Sequence, residues 1–431
     1  EIQRKNIETS RAKAFIVKYI DLFAGAGGFL EGFKRAGFEP VAHVEVDPAA
    51  CFTLKTRLSY YYLTANKKTD IYIQYLKGEI NRNQLYSHVP GHILDSVINL
   101  PIGNKNNHKI FDKINELKGV NDVDIIVGGP PCQAYSLVGR ARDKNRMAGD
   151  PRNYLYLQYG KFLKKYRPKL FVFENVIGLL SAEKGKYFRN IKSCFGSIGY
   201  AVKPFQVNAN QFGVLQNRKR IIIIGWRKDL DFSIEQLADQ TIPSFQVRLI
   251  FEDLPEIQAG QGVNKFLTYA KGTNDYLCYA KIRNGIDVLT QHISRPHSIQ
   301  DKEIYKIAVN KWKYNRERLV YNDLPEHLKS HNNKISFLDR FKVVADDLFS
   351  SQTVVAHIAK DGHYYIHPDI KQNRSISVRE AARLQSFPDD YYFEGMKEGH
   401  NRTSAFKQIG NAVPPLMIEN IAASLKYFLL Q

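Results

Sequence analysis

Cysteine is scarce in this 431-residue chain: four thiols stand at 51, 132, 194 and 278, and none forms a Cys-x-x-Cys pair. That spacing excludes a disulfide-stapled scaffold and a cysteine-type zinc site, and it points to a reducing, cytoplasmic compartment. Long apolar runs are missing as well. No stretch approaches the roughly 20 residues a membrane helix requires, and no signal peptide is visible, so no membrane partner is expected. Acidic residues are in deficit, 43 Asp and Glu against 62 Lys and Arg, for a formal net charge of +19. Such a balance suits a polyanion, with nucleic acid the leading candidate and a generally basic surface the plain alternative. Internal repeats and low-complexity tracts are absent. The chain begins at Glu1 rather than methionine, which leaves a preceding segment open.

What is there reads as two domains, each on the order of 100 to 200 residues. The first part alternates short apolar runs with helical patterns, the signature of an α/β fold with a largely parallel sheet and helices on both faces. Strands are expected at 16–22, 41–46, 123–127, 170–173 and 221–226. Residues 54–121, rich in Tyr, Asn and Lys, look like an insertion with helices of its own and no assignable function. From 229 to 374 the pattern becomes irregular, and from 378 onward it is helical again.

One thiol stands apart. Cys132 lies in Gly128-Gly129-Pro130-Pro131-Cys132-Gln133 directly after an apolar run, so a stiff turn at a strand end presents it. A lone cysteine is ordinarily a small core residue, but a core residue needs no such support. A second strand runs into Phe23-Ala24-Gly25-Ala26-Gly27-Gly28 before a helix. This is a cradle in which backbone amides and a helix start favour a negatively charged group. Leu30 stands where a dinucleotide fingerprint wants a third glycine, so NAD fits imperfectly. Glu45, about 20 residues on, is placed to bind ribose hydroxyls. Glu174 ends another apolar strand and needs a partner there, which points it into the cleft shared with Cys132. Arg218 and Arg220 precede the strand at 221, and Gly410-Asn411-Ala412-Val413-Pro414-Pro415 precedes a helix.

Together these segments resemble the DNA (cytosine-5)-methyltransferase family, bacterial or phage restriction-modification type, in the family's order and over almost the whole chain. Arg379-Glu380-Ala381-Ala382-Arg383-Leu384-Gln385-Ser386-Phe387-Pro388 belongs to the same set. The resemblance implies a Rossmann-like methyltransferase domain, 1–228 plus 402–431, and a smaller, irregular target-recognition domain, 229–401. It implies S-adenosyl-L-methionine as cofactor, held by Phe23, Gly25, Gly28, Glu45, Asn411 and Val413. It makes Cys132 the nucleophile on C6 of a flipped-out cytosine, with Glu174 at N3, Arg220 at O2 and Arg218 bracing the site. Gln133, Ser136, Arg140, Arg142, Lys144 and Arg146 become duplex-DNA contacts on a loop that closes on the substrate.

Three departures stand out: Ala26, Pro130 before the Pro-Cys pair, and no clear match for the acid that contacts adenine. The enzyme is expected to be a nucleoid-associated monomer with no metal. Its cognate endonuclease, if one exists, is not expected to be stably bound. His357 and His367, on expected strands, read as structural or DNA-contacting. A tRNA cytosine-5 methyltransferase would share the catalytic motifs but carry a more compact recognition region, and a non-catalytic DNA-binding relative would lose them. A zinc deaminase would need a second cysteine at Tyr135 and an upstream His-x-Glu, which are missing. The recognition sequence is not legible.

Overall fold

The computed structural model describes residues 16–131, 154–237, 242–330, 335, 338–399 and 401–430. Seven strands form one sheet: β1 Lys18–Leu22, β2 Glu39–Glu45, β3 Val97–Asn99, β4 Ile125–Gly128, β5 Leu170–Asn175, β6 Tyr200–Asn208 and β7 Lys219–Arg227. Their order is β3-β2-β1-β4-β5-β7-β6. The first five pair in parallel, whereas β7 runs antiparallel to both β5 and β6. The α/β expectation holds, and the sheet is mixed at one side.

Strands buried on both faces read as continuous apolar runs, and successive side chains divide between two cores. Tyr19, Ile125, Val127 and Val172 pack against Phe29 and Phe33 of α1 (Gly28–Arg35) and against the C-terminal helix Pro415–Leu429. Ile20, Ile126, Phe171 and Phe173 pack on the opposite face with Tyr159 and Phe162. A Cβ on Gly32 would lie 2.6 Å from Ile418 Cγ2, so the two helices cross where only glycine fits.

Residues 54–121 are only partly an insertion. They hold β3 and the helix Asn107–Lys118, which complete the alternating pattern. The remainder extends α2 (Pro48–Ala65) into Thr69–Lys77 and Arg82–Ser87. Those helices brace residues 389–398. Glu31 accepts from Arg57 Nε at 2.7 Å, and Arg57 also faces Asp390 at 3.1 Å. Thr56 donates to Glu394 at 2.8 Å, and Tyr75 donates to the same carboxylate. Lys265 Nζ lies 3.4 Å from the Tyr75 ring centroid and 4.4 Å from that of Tyr392.

Part of the irregular region from 229 has a core of its own, made by Ile304, Tyr305, Ala308, Leu319, Phe341 and Ile366 around the helix Ile299–Asn315, while Val247, Ile250, Tyr276, Leu277 and Val354 pack into the core beneath the sheet. The helix Val378–Leu384 carries buried charge. Arg374 donates to both Glu380 oxygens at 2.7 Å, and Arg383 bridges Asp253 and Asp389 at 2.5 Å each. No helix of the described residues is long and apolar enough to cross a membrane.

Burial lowers four histidines from the ordinary value of 6.5: His292 and His297 to about 4, His367 to about 3, and His363 in the same direction. They fold neutral, while the unfolded chain gains protons below its own histidine pKa of about 6.5. Stability is therefore full above about pH 6.5 and is lost progressively as pH falls through about 4 and 3. Urea midpoints across that window should fall, and a His367→Gln variant should show a shallower fall. Arg383→Ala removes the bridging cation from two buried carboxylates, leaving Asp253 with Arg283 and Asp389 with the Tyr269 hydroxyl, and should cost about 3 kcal/mol in urea unfolding.

Candidate active site

Sheet order reverses at β1, which lies between β2 and β4. The carboxyl ends of β1, β2 and β4 come together there, the place where α/β folds bind ligands. β1 and β4 approach closely at their ends: a Cβ on Gly128 would lie 2.3 Å from Leu22 O.

On one side of these strand ends, the loop after β1 is bent by Phe23 at φ 59°, Gly25 at φ 55° and Gly27 at φ 83°. A left-handed phenylalanine is strained backbone, retained where the surroundings dictate it. Glu45, at the end of β2, holds this loop. Its Oε2 accepts from Gly25 N at 2.7 Å, while Oε1 accepts from Val46 N at 2.8 Å and Asp47 N at 2.7 Å. Burial pushes the Glu45 carboxyl up from its ordinary value, and those three amides oppose the shift. A Cβ on Gly25 would meet nothing within 4 Å, so open space lies over the loop, whereas one on Gly28 would lie 2.1 Å from Val413 O. The C-terminal loop thus closes on the start of α1. Val413 is buried there and Asn411 is exposed beside it. The structure brings Gly25 to Glu45 and Gly28 to Val413, with Phe23 in the same turn.

On the other side, Glu174 Oε1 pairs with Arg220 Nε at 2.8 Å, both side chains being 13% exposed. A Cβ on Gly129 would lie 2.7 Å from Glu174 Oε2, and Asn175 Nδ2 donates to Pro130 O at 3.4 Å. The turn that leads to Cys132 therefore rests on the strand end that carries Glu174. Cys132 itself, with Gln133, Ser136, Arg140, Arg142, Lys144 and Arg146, lies outside the described residues.

Arg218, grouped with the catalytic residues at the sequence level, takes a bracing position. It is buried and donates to Val354 O at 2.7 Å, Gly410 O at 3.3 Å and Ala412 O at 2.8 Å. One guanidinium thus ties the start of β7 to the irregular region at Val354 and to the loop that meets α1.

Sequence reasoning missed the amides that complete this junction. Gln216 Oε1 accepts from Val354 N at 2.9 Å, Thr353 donates to Asn217 O at 2.6 Å, and Gln385 donates to Ile409 O at 2.7 Å. Gln216 and Gln385 lie inside the matched motifs, and that was the signal available. Neither histidine singled out earlier is in a strand: His357 falls in the 3-10 turn Ala356–Ala359 and pairs with Asp361 at 3.2 Å, and His367 is buried 3.6 Å from Glu380. No group of three or more His, Cys, Asp or Glu that could hold a metal occurs among the described residues.

Arg218→Ala would remove this donor from three carbonyls, of which Ala412 O keeps Gln385 Nε2 at 3.2 Å, and each one left unsatisfied costs about 1 to 3 kcal/mol. A marked fall in the urea midpoint is expected, larger than for the exposed Lys219→Ala.

The chain matches the model of the C-5 cytosine-specific DNA methylase family over residues 17–84 and 98–427. It is 40% identical to the type II methyltransferase M.Bpa9945I of Bacillus paralicheniformis over 442 residues, covering 94% of this chain and 98% of that one. It is 30% identical to the type II methyltransferase M1.HphI of Haemophilus parahaemolyticus over 407 residues, covering 94% and 86%. A prophage-encoded E. coli protein, provisionally named a DNA modification methyltransferase, shares the fold at a TM-score of 0.62 and 23% identity, covering 96% of this chain and 100% of that one. The chain belongs to the C-5 cytosine-specific DNA methylase family and is a DNA (cytosine-5-)-methyltransferase.

Proposed function

We propose that this enzyme methylates C5 of a cytosine flipped out of duplex DNA, using S-adenosyl-L-methionine and a covalent adduct between Cys132 and C6. It would serve as the modification half of a restriction-modification pair, the setting suggested by its type II relatives. The observation that carries the reading is the 2.8 Å Glu174–Arg220 pair at the strand end against which the Pro130-Pro131 turn rests.

N3 and O2 are adjacent on one edge of cytosine, and a carboxyl and a guanidinium already in contact match that spacing. Glu174 holds a proton at N3 while Arg220 donates to O2, so charge that develops on the ring as the thiolate adds is neutralised where it appears. The Cys132 thiolate forms the bond to C6, which makes C5 nucleophilic. After methyl transfer, loss of the C5 proton lets the thiolate leave and restores the aromatic ring.

The cofactor supplies an electrophilic methyl group. The open space over Gly25 and the Glu45 carboxylate fit a ligand with ribose hydroxyls. For adenine we infer a contact by Asn99, the register partner of Glu45 on β3. Its Nδ2 is engaged at 3.0 Å with both Glu45 O and Val46 O, which leaves Oδ1 to accept from an amino group. Val46, 59% exposed, offers apolar surface beside it. The recognition region is assigned to 229–401. A separate core between 304 and 366 supports that division, although Val247, Ile250, Tyr276, Leu277, Val354 and residues 376–393 enter the core beneath the sheet.

Purified enzyme should transfer labelled methyl groups from S-adenosyl-L-methionine to duplex DNA, with no transfer by Cys132→Ser and a fall in kcat of about 100-fold or more for Glu174→Gln. Undiminished transfer by the cysteine variant would sink the mechanism. Transfer to tRNA in place of DNA would sink the substrate assignment.

A further inference from the structure

The amino-terminal end of the parallel strands, remote from the active site, carries a basic groove that the reaction does not use. A cavity of about 490 Å³ is lined there by Lys18, Asp124, Arg167, Lys169 and Arg227. A second, of about 380 Å³, shares Lys18 and adds Lys34, Lys118 and Tyr62. The cations come from separate elements: the starts of β1 and β5, the end of β7 and the helix Leu155–Tyr166. That helix continues the band outward. From 155 to 173 the chain carries Lys161, Lys164, Lys165, Arg167 and Lys169 and not one acid.

Lysines in a last helical turn ordinarily answer the helix dipole. That account covers Lys164 and Lys165, but not Lys18 or Lys169 at strand starts. The acids at this end are mostly taken. Asp124 accepts from Lys18 N at 2.9 Å and faces Lys169 at 3.5 Å, Glu39 pairs with Lys34 at 2.8 Å, and Asp229 pairs with Arg227 at 2.9 Å. Asp122, on the rim, is the acid that counts against the excess. Among the described residues, Lys18, Lys164, Lys165 and Arg167 have no salt-bridge partner.

We propose that this groove binds the phosphate backbone of a second DNA segment, distinct from the one in the active site. Separate cations along a groove suit a chain of phosphates, and the net charge of +19 favours a polyanion. Lys169 stands five residues before Glu174 on an extended strand, about 16 Å away at about 3.3 Å per residue. A duplex seated over the carboxyl ends lies at the opposite end of the strands. The proposal rests on the DNA reading above for its choice of polyanion.

The test uses full-length enzyme and two random-sequence duplexes carrying a donor and an acceptor fluorophore. Wild type should bring them together, while Lys164→Gln/Arg167→Gln and, separately, Lys18→Gln should lose most of that transfer signal. In binding titrations the slope of log Kobs against log salt should shrink by about 0.9 for each phosphate contact removed. Methyl transfer to a single short duplex should stay unchanged, which shows that the variants are folded. Absence of a bridged state in wild type overturns the proposal, as does bridging that survives the substitutions or a groove that takes inorganic pyrophosphate without a second duplex. Bridging without any methyl transfer by wild type would overturn the catalytic reading and leave this one standing.

Discussion

Arg218 sits where three parts of the molecule meet. It leaves the backbone one residue before β7, and its guanidinium ends among the carbonyls of Val354, Gly410 and Ala412. A buried guanidinium is tolerable only when its donors are matched, and here the matching atoms belong to segments more than 130 residues away in the chain. Val354 lies within the irregular region after 229, and Gly410 and Ala412 lead into the loop that abuts Gly28. Two residues beyond Arg218, Arg220 pairs with Glu174. The Glu174–Arg220 pair, the loop that abuts Gly28 and the segment at Val354 therefore meet around a single side chain.

Around that junction the glycines act by omission. Gly28, Gly128, Gly129 and Gly410 each stand where a Cβ would press within 2.1 to 2.7 Å of a neighbouring backbone or carboxylate atom. Close approach of backbone to backbone gives the walls of the site little freedom, as interiors packed to crystal-like density transmit any displacement. The strain in Phe23 belongs to the same pattern, because the loop is pulled toward Glu45 from one side and closed by Val413 from the other.

How much of this was legible depends on position in the sheet. The five strands read from sequence include all the central ones, whose burial on both faces gives continuous apolar runs such as Ile221-Ile222-Ile223-Ile224. The two missed, β3 and β6, are the sheet's two edges. β3 spans only Val97–Asn99, and β6 carries Pro204, which an edge strand accommodates. The candidate site was legible through its motifs, because strand-end residues sit beside glycine and proline signals. Arg379, Glu380 and Arg383 were not legible as core. Charge predicts exposure, and the partners that allow burial (Thr290, Arg374, Asp253 and Asp389) are scattered along the chain. The insertion was opaque for the same reason: its tyrosines and Arg57 gain meaning only beside Asp390 and Glu394.

That brace bears on how such enzymes can diversify. A region that reads DNA would be exchanged freely between relatives if it hung from the catalytic part by peptide links alone. Here Lys265 lies under the rings of Tyr75 and Tyr392, and Asp390 and Glu394 are locked to Arg57, Thr56 and Tyr75. A graft of residues 229–401 from a relative without these helices would bring groups with no counterparts and leave Arg57 and Tyr75 without theirs. Residues 265–394 are thus held by side chains that the chain supplies more than 180 residues earlier, and a change on one side of this brace needs a matching change on the other.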